Sequence, residues 1–291
     1  RTAAYIGVFN SIDHTVPKNA GSLRRIELHL KDAGVVGIPR HPISCSASTT
    51  NLADRIVSAT QRAMAEMGDG FGMGEVGCFC APSTAVVSGT DPRNGKPYVN
   101  QLFLGHTAGA GAPHQDAWLT MLHVGNGGMC FIDSVELDEV YTPIHVHTRR
   151  LIPDSEGAGR HRGAPGIEVE FGPVDCQMEA GFVHDGNIHV PQGARGGLPS
   201  ARSNQFKRTR NKDLETLDQC SIVWIEDGET LVSIAQGGGG YGDPTTRDPN
   251  QVQKDVREGL ITRKRAKEIY AVAITDDLSV DTVRTAELRN Q

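Results

Sequence analysis

Between Ser134 and Ala235 apolar and polar residues alternate along the chain. In "GIEVEF" Ile167, Val169 and Phe171 fall on one face and Glu168 and Glu170 on the other, and in "PIHVHT" Ile144 and Val146 oppose His145 and His147. This period of two marks a half-exposed, mostly antiparallel sheet. "CSIVWIEDGETLVSIA" reads as a hairpin turning at Asp227-Gly228. A helical period governs residues 51–67, where Ile56, Thr60, Ala63, Met64 and Met67 recur at three- and four-residue steps and Gly68 stands at the stop position. That spacing predicts a helix with this face on a core. "AAYIGVFNSI" predicts a shorter helix, stopped by the "VPKNAG" turn. The fold class expected is α+β: a mostly antiparallel sheet with glycine-rich loops, a packed helix near the N-terminus and a short C-terminal helical pair.

From Gly68 to Gly128 periodicity fades and glycine is dense, as in "MGDGFGMGEVG" and "GHTAGAGAPHQDAW". Glycine lets backbone approach backbone or ligand closely, and the interleaved Phe103, Trp118, Leu119 and Met121 favour shaped loops over disorder. A second glycine cluster, "GGGGYGDP", follows the strand "LVSIA" and leads into "DPNQVQKDVREG", a short helix stopped at Gly259, after which Thr262 serves as N-cap to "RKRAKEIYAV". A phosphate cradle needs glycine running directly into a helix, usually with a Lys-Ser/Thr pair. Two Asp-Pro turns intervene here and no such lysine follows, so the run reads as the end of a fold. The organisation expected is an N-terminal α+β part over residues 1–130, a β-rich domain over 131–245 and a helical tail over 246–291.

The 291 residues carry a formal charge of -6 with both signs interspersed, and only "RSNQFKRTRNK" reads as an exposed basic loop. There is no basic stripe of the kind that binds nucleic acid. No apolar run is long enough to span a bilayer and the start lacks a secretory pattern, so the cytoplasm is the compartment expected. The six cysteines are scattered apart from "CFC" and read as buried thiols. The chain opens on Arg1 and runs at once into an apolar segment, as though an earlier part of a domain were missing, which is the expectation for a processed chain or a split gene.

The closing run "GGGGYGDPTTRDPNQVQKDVREGLITRKRAKEIYAV" resembles the end of the hydantoinase B/oxoprolinase family. So do "IPDSEGAGRHRGAPGIEVEF", "VPKNAGSLRRIELHL" and "VPQGARGGLP", in the family's order, so that the resemblance spans nearly the whole chain but only the family's C-terminal half. There are departures: "AGAGA" at Ala108 to Ala112 stands for a richer glycine loop, Asp116-Ala117 for an Asp-Gly pair, and His123-Val124-Gly125-Asn126 for His-Met-Thr-Asn. The resemblance implies a subunit of an ATP-dependent, multi-subunit enzyme that hydrolyses a cyclic amide such as a hydantoin, oxoproline or a lactam. A partner actin-like ATPase subunit of hydantoinase A type binds ATP and phosphorylates the substrate. A divalent metal, zinc or manganese, is held mainly by a companion chain carrying the N-terminal half of the B-type subunit. Two alternatives stay open: a subunit of an ATP-dependent ketone carboxylase acting on acetone or acetophenone, and a non-catalytic scaffold half-subunit.

On the same resemblance the candidate catalytic residues are His123, Asp116, Asn126 and Glu136. His123 would shuttle protons near neutral pH. Asp116 would orient it or assist a metal-bound water, Asn126 would donate to a developing oxyanion, and Glu136 would act from further out. All four read equally as polar residues satisfying buried loop backbone. His145 and His147 have a strand spacing that metal sites use, but their neighbours look exposed. His106 and His114 flank the glycine loop without a recognisable pairing. Asp154, Arg160 and Arg162 read as residues that fasten a glycine-rich turn.

Overall fold

The structure is a computed structural model, and it describes residues 1–34, 36–42, 52–77, 81–117, 119–120 and 132–290. Helices α1 (Thr2–Ile12), α2 (Ala20–Leu23) and α3 (Ala53–Met64) precede a hairpin of β1 (Val86–Asp91) and β2 (Lys96–Gln101), then the short pair β3 (Thr107–Ala108) and β4 (Leu119–Thr120). After α4 (Val135–Tyr141) come β5 (Ile144–Leu151), β6 (Ile167–Pro173), β7 (Met178–Val183), β8 (Asn204–Arg208), β9 (Leu214–Thr216), β10 (Cys220–Ile225) and β11 (Thr230–Ala235). Helices α5 (Pro249–Arg257), α6 (Arg263–Glu268) and α7 (Thr282–Arg289) close the chain.

The alternation of apolar residues builds two antiparallel sheets that share one core. One runs β10-β7-β1-β2 and the other β5-β6-β11-β8-β9. Val87, Met178, Ala180, Phe182 and Ile225 of the first meet Ile144, Ile167, Val169, Phe171 and Leu231 of the second in a single buried cluster. The first sheet draws strands from both sides of residue 130, since β1 pairs with β7 through Val86↔Gly181 and Ser88↔Glu179. The hairpin expected at Asp227-Gly228 does not form: the turn is present, with Gly228 at φ +80°, but β10 joins β7 while β11 joins β6 and β8. The chain crosses between sheets there because Ile225 and Leu231 both enter the shared core, one from each side. The basic stretch 202–212 is likewise not a loop throughout, for Lys207 and Arg208 lie in β8 and pair with Glu229 and Glu170 at 2.7 Å each.

Helix α3 forms where the period predicts, but its most buried residues are Asp54, Val57, Ser58 and Gln61. Ile56, Thr60 and Met64 are half-buried and Ala63 and Met67 exposed. The buried face is polar because α3 packs on loop backbone, where Ser58 Oγ accepts from Val76 N–H and Arg55 donates to the carbonyls of Val76 and Gly77. Gly7 of α1 lies against Thr60 and Val57 of α3, so close that a Cβ would stand 2.6 Å from Thr60 Cβ. Of the cysteines within the described residues, Cys176 is half-buried and Cys220, on an edge strand, is exposed rather than buried.

The tetraglycine run leaves β11 and threads between the other glycine-rich loops. The amides of Gly238, Gly239, Gly240 and Tyr241 donate to the carbonyls of Ala164, Glu75, Leu198 and His161 at 2.8–3.0 Å. These four N–H groups, from Gly238 to Tyr241, are spent on backbone and do not cradle a phosphate. Two positions show why side chains are excluded: a Cβ on Gly238 would sit 1.9 Å from Gly109 O, and one on Gly163 1.9 Å from Gly238 O. Tyr241 is fully buried at the end of this seam and its hydroxyl bonds Phe71 O at 3.2 Å. The C-terminal helices pack on the same seam through Ala158, Val252, Ile261, Ala266, Tyr270 and Val272. Asp248 caps α5 by accepting from the Asn250 amide, and Thr262 caps α6 through Arg265 N–H, the latter as its place in the sequence predicts. Asp154 in turn accepts from the Thr262 amide and hydroxyl at 2.7 and 2.8 Å.

Candidate active site

Of the two expected catalytic residues within the described residues, Asp116 and Glu136, Asp116 lines a pocket. It follows the glycine loop, and both of its oxygens are gripped by Arg247, Nη1 to Oδ1 at 2.6 Å and Nη2 to Oδ2 at 2.7 Å. Arg162 N–H adds a third bond at 3.0 Å. Arg247 is 2% exposed and reaches a second carboxylate, Asp255, at 2.8 Å, which also receives Arg162 Nε at 2.9 Å. The result is a neutral clasp of two carboxylates and two guanidiniums joining the glycine loop, the "GRHRG" turn and α5. Such a buried set is stable only when fully paired. Burial would push the Asp116 carboxyl up, but Arg247 and Arg162 outweigh it and hold it below the ordinary carboxylate value. Asp116 therefore stays ionised, with both oxygens engaged by Arg247 and one of them also by the Arg162 amide.

Two histidines stand open beside this clasp. His161 and His114 line a cavity of about 450 Å³ with Gln115, Asp116, Arg160 and Gln251. His161 Nδ1 lies 3.9 Å from Asp116 Oδ1, too far for a hydrogen bond but near enough to favour a charge on the ring. Burial, with Arg160, Arg247 and His114 nearby, nevertheless keeps its pKa below the ordinary value despite Asp116. The imidazole is thus neutral at pH 7 and able to accept a proton. Arg160 Nη2 is held by Asp69, at 2.8 Å. His161 is absent from the set expected on sequence, although it lies inside the "GRHRG" motif; the signal for it is a histidine flanked by two arginines, each of which an aspartate engages.

Glu136 is not brought to this pocket. It sits in the first turn of α4, where the Ser134 hydroxyl donates to it at 2.6 Å and holds its pKa low. Around it a different acidic neighbourhood forms: Asp138 is buried, and burial together with Asp133 pushes its pKa up to about 6. His123 and Asn126 lie outside the described residues. His106 is buried with Nε2 3.0 Å from Pro165 O, a packing role. His145 and His147 have ring centroids 4.7 Å apart and His145 Nδ1 is 2.9 Å from Glu139. Among the described residues no three His, Cys, Asp or Glu side chains gather as a metal ion requires. No described helix is long and apolar enough to cross a membrane.

Comparison with known proteins gives this geometry a context. A family model described as Hydantoinase B/oxoprolinase matches residues 1–244. The caprolactamase beta subunit of Pseudomonas jessenii is 26% identical over 294 residues, which is 98% of this chain and 49% of that protein. A crystal structure of ATP-dependent caprolactamase from the same organism superposes with a TM-score of 0.80 at 23% identity, over 99% of this chain and 50% of the other. The acetone carboxylase alpha subunit of Xanthobacter autotrophicus is 25% identical over 54% of this chain and 25% of its own length. The acetophenone carboxylase delta subunit of Aromatoleum aromaticum is 25% identical over 97% of this chain and 46% of its own. The chain thus spans about half the length, or less, of these relatives.

Proposed function

We propose, from the premise that this chain belongs to the hydantoinase B/oxoprolinase family, that it acts as a B-type subunit of an ATP-dependent complex that opens a cyclic amide. The observation that carries this reading is the match to a caprolactamase subunit along 98% of the chain. In this reading a hydantoin, oxoproline or lactam is activated with phosphate from ATP by a partner ATPase subunit. A companion chain covering the rest of the family's B-type subunit joins the complex. In this reading the divalent ion is held mainly by that companion, and when bound it would polarise the carbonyl as a Lewis acid.

The work assigned to this chain is binding and proton handling. A cavity of about 450 Å³ accommodates a small polar ring, with Gln115 and Gln251 to donate and accept at its edge. His161, neutral and facing the cavity, takes the proton released as water adds to the activated carbonyl, and the fixed Asp116 carboxylate stabilises the imidazolium that results. Purified complex containing this chain is to be assayed for ATP consumption coupled to ring-opened product from hydantoin, 5-oxoproline and caprolactam. Acetone and acetophenone with bicarbonate are run in parallel. Product from cyclic amides alone supports the proposal. The near-complete match to an acetophenone carboxylase subunit favours the ketone reading second, and carboxylated ketone would establish it. ADP release with neither substrate class would reject both.

A further inference from the structure

In an antiparallel sheet with one face in water, residues on that face are polar. The sheet β10-β7-β1-β2 departs from this rule. Its inner face carries Val87, Ala180, Phe182 and Ile225 in the core. The register places Ile222, Gly181, Val86 and Gln101 in one outward row and Trp224, Glu179, Ser88 and Val99 in the next. Of these, Ile222 is 73% exposed, Val99 75%, Trp224 51% and Val86 45%, and Val183 on the same face is 41% exposed. Strand "SIVWI" is apolar on both sides, the pattern of a strand covered twice. Gly181, between Ile222 and Val86, leaves a shallow trough, since a Cβ there would meet only Ile222 Cγ1 at 3.8 Å and Val86 O at 4.0 Å. Glu179 is the one charged side chain in the two rows. A sheet face that exposes so many large apolar side chains with so little charge is the mark of a protein contact.

What covers it follows from the lengths of the relatives. Nearly all of this chain, 98–99%, is matched by only 49–50% of the caprolactamase polypeptide, so that in the relative a module of similar size is joined to this one. We infer that the outer face of β10-β7-β1-β2 is the seat of the polypeptide corresponding to that other half, bound through Ile222, Trp224, Val86 and Val99 around the Gly181 trough. The inference rests on the subunit reading above, but on its assembly and not on its chemistry.

The test uses the native complex, with the photoreactive residue p-benzoylphenylalanine in place of Ile222 or Val99 and the crosslinked peptide identified by mass spectrometry. Capture of a sequence similar to the unmatched half of the caprolactamase beta subunit is the result expected. Crosslinks to a second copy of this chain, to an ATPase subunit, or to nothing overturn the inference. As a second measurement, Ile222→Asp combined with Trp224→Asp is expected to weaken that association at least 100-fold while leaving the thermal melt of the isolated chain unmoved, because neither side chain enters the core. Undiminished association would contradict the proposal. A complex that assembles through this face yet turns over no cyclic amide would sink the proposed function and leave this inference standing.

Discussion

The sandwich and the glycine seam solve the same packing problem in opposite ways. In the sandwich, branched and aromatic side chains from two sheets fill a shared interior, with Phe171 and Val169 wholly buried. In the seam, backbones replace side chains, and density is reached because Gly109, Gly163 and Gly238 have none. The first arrangement tolerates some change of shape, since cores of the right volume still fold. The second does not, because a methyl group has nowhere to go and each strand of the seam also satisfies its neighbours' hydrogen bonds. A site needing fixed geometry is better built on the second kind of support, and the Asp116–Arg247 clasp is attached there.

The largest effect expected is therefore at the seam. Gly163→Ala or Gly238→Ala should abolish folded protein, read by circular dichroism and gel filtration, whereas a folded, stable variant would show that the close approach is not obligatory. Phe171→Ala should leave a folded chain weakened by about 3–5 kcal/mol in denaturant titration, the usual cost of a large cavity. Arg247→Ala should cost a similar amount, about 3–5 kcal/mol, because Asp116 and Asp255 lose their buried counter-charge. Asp116 has its pKa held low, so its contribution is present above the unfolded value and lost as pH falls through the folded one. Arg247→Ala should accordingly flatten the acid limb of the stability curve.

Asp138 shows the opposite sign. Its carboxyl is pushed up to about 6 from 3.8, so the folded state binds a proton more tightly across that window and stability falls as pH rises through it. Asp138→Asn should therefore raise the melting temperature at pH 7.5 and leave it little changed at pH 3.5. The smallest effect expected is Gly95→Ala, which meets no atom within 4 Å but holds φ +69° and should cost about 1 kcal/mol. It separates the conformational demand on glycine from the steric demand that dominates the seam.

What is legible in the chain follows the same division. Strands such as 167–171 declare themselves because alternate side chains face core and solvent, and the cap at Thr262 because capping is local. The β1–β2 hairpin is hidden in a glycine-rich stretch, although Asn94-Gly95 marks its turn. The change of sheet between β10 and β11 is invisible because a hairpin and a crossover share one local turn. Asp116 and Arg247 are 131 residues apart and no local pattern links them, so the clasp emerges only with the fold. His161 escapes sequence reasoning for the same reason: its meaning depends on where Asp116 comes to lie.

On the proposed function His161 moves the proton in a pocket that Asp116 and Arg247 hold in shape. Steady-state kinetics of His161→Gln in the assembled, ATP-supplied complex test it most directly. A fall in kcat of about 10²- to 10⁴-fold is expected, the usual contribution of a positioned general base, with KM and subunit composition preserved. An unchanged kcat in an intact complex would contradict it.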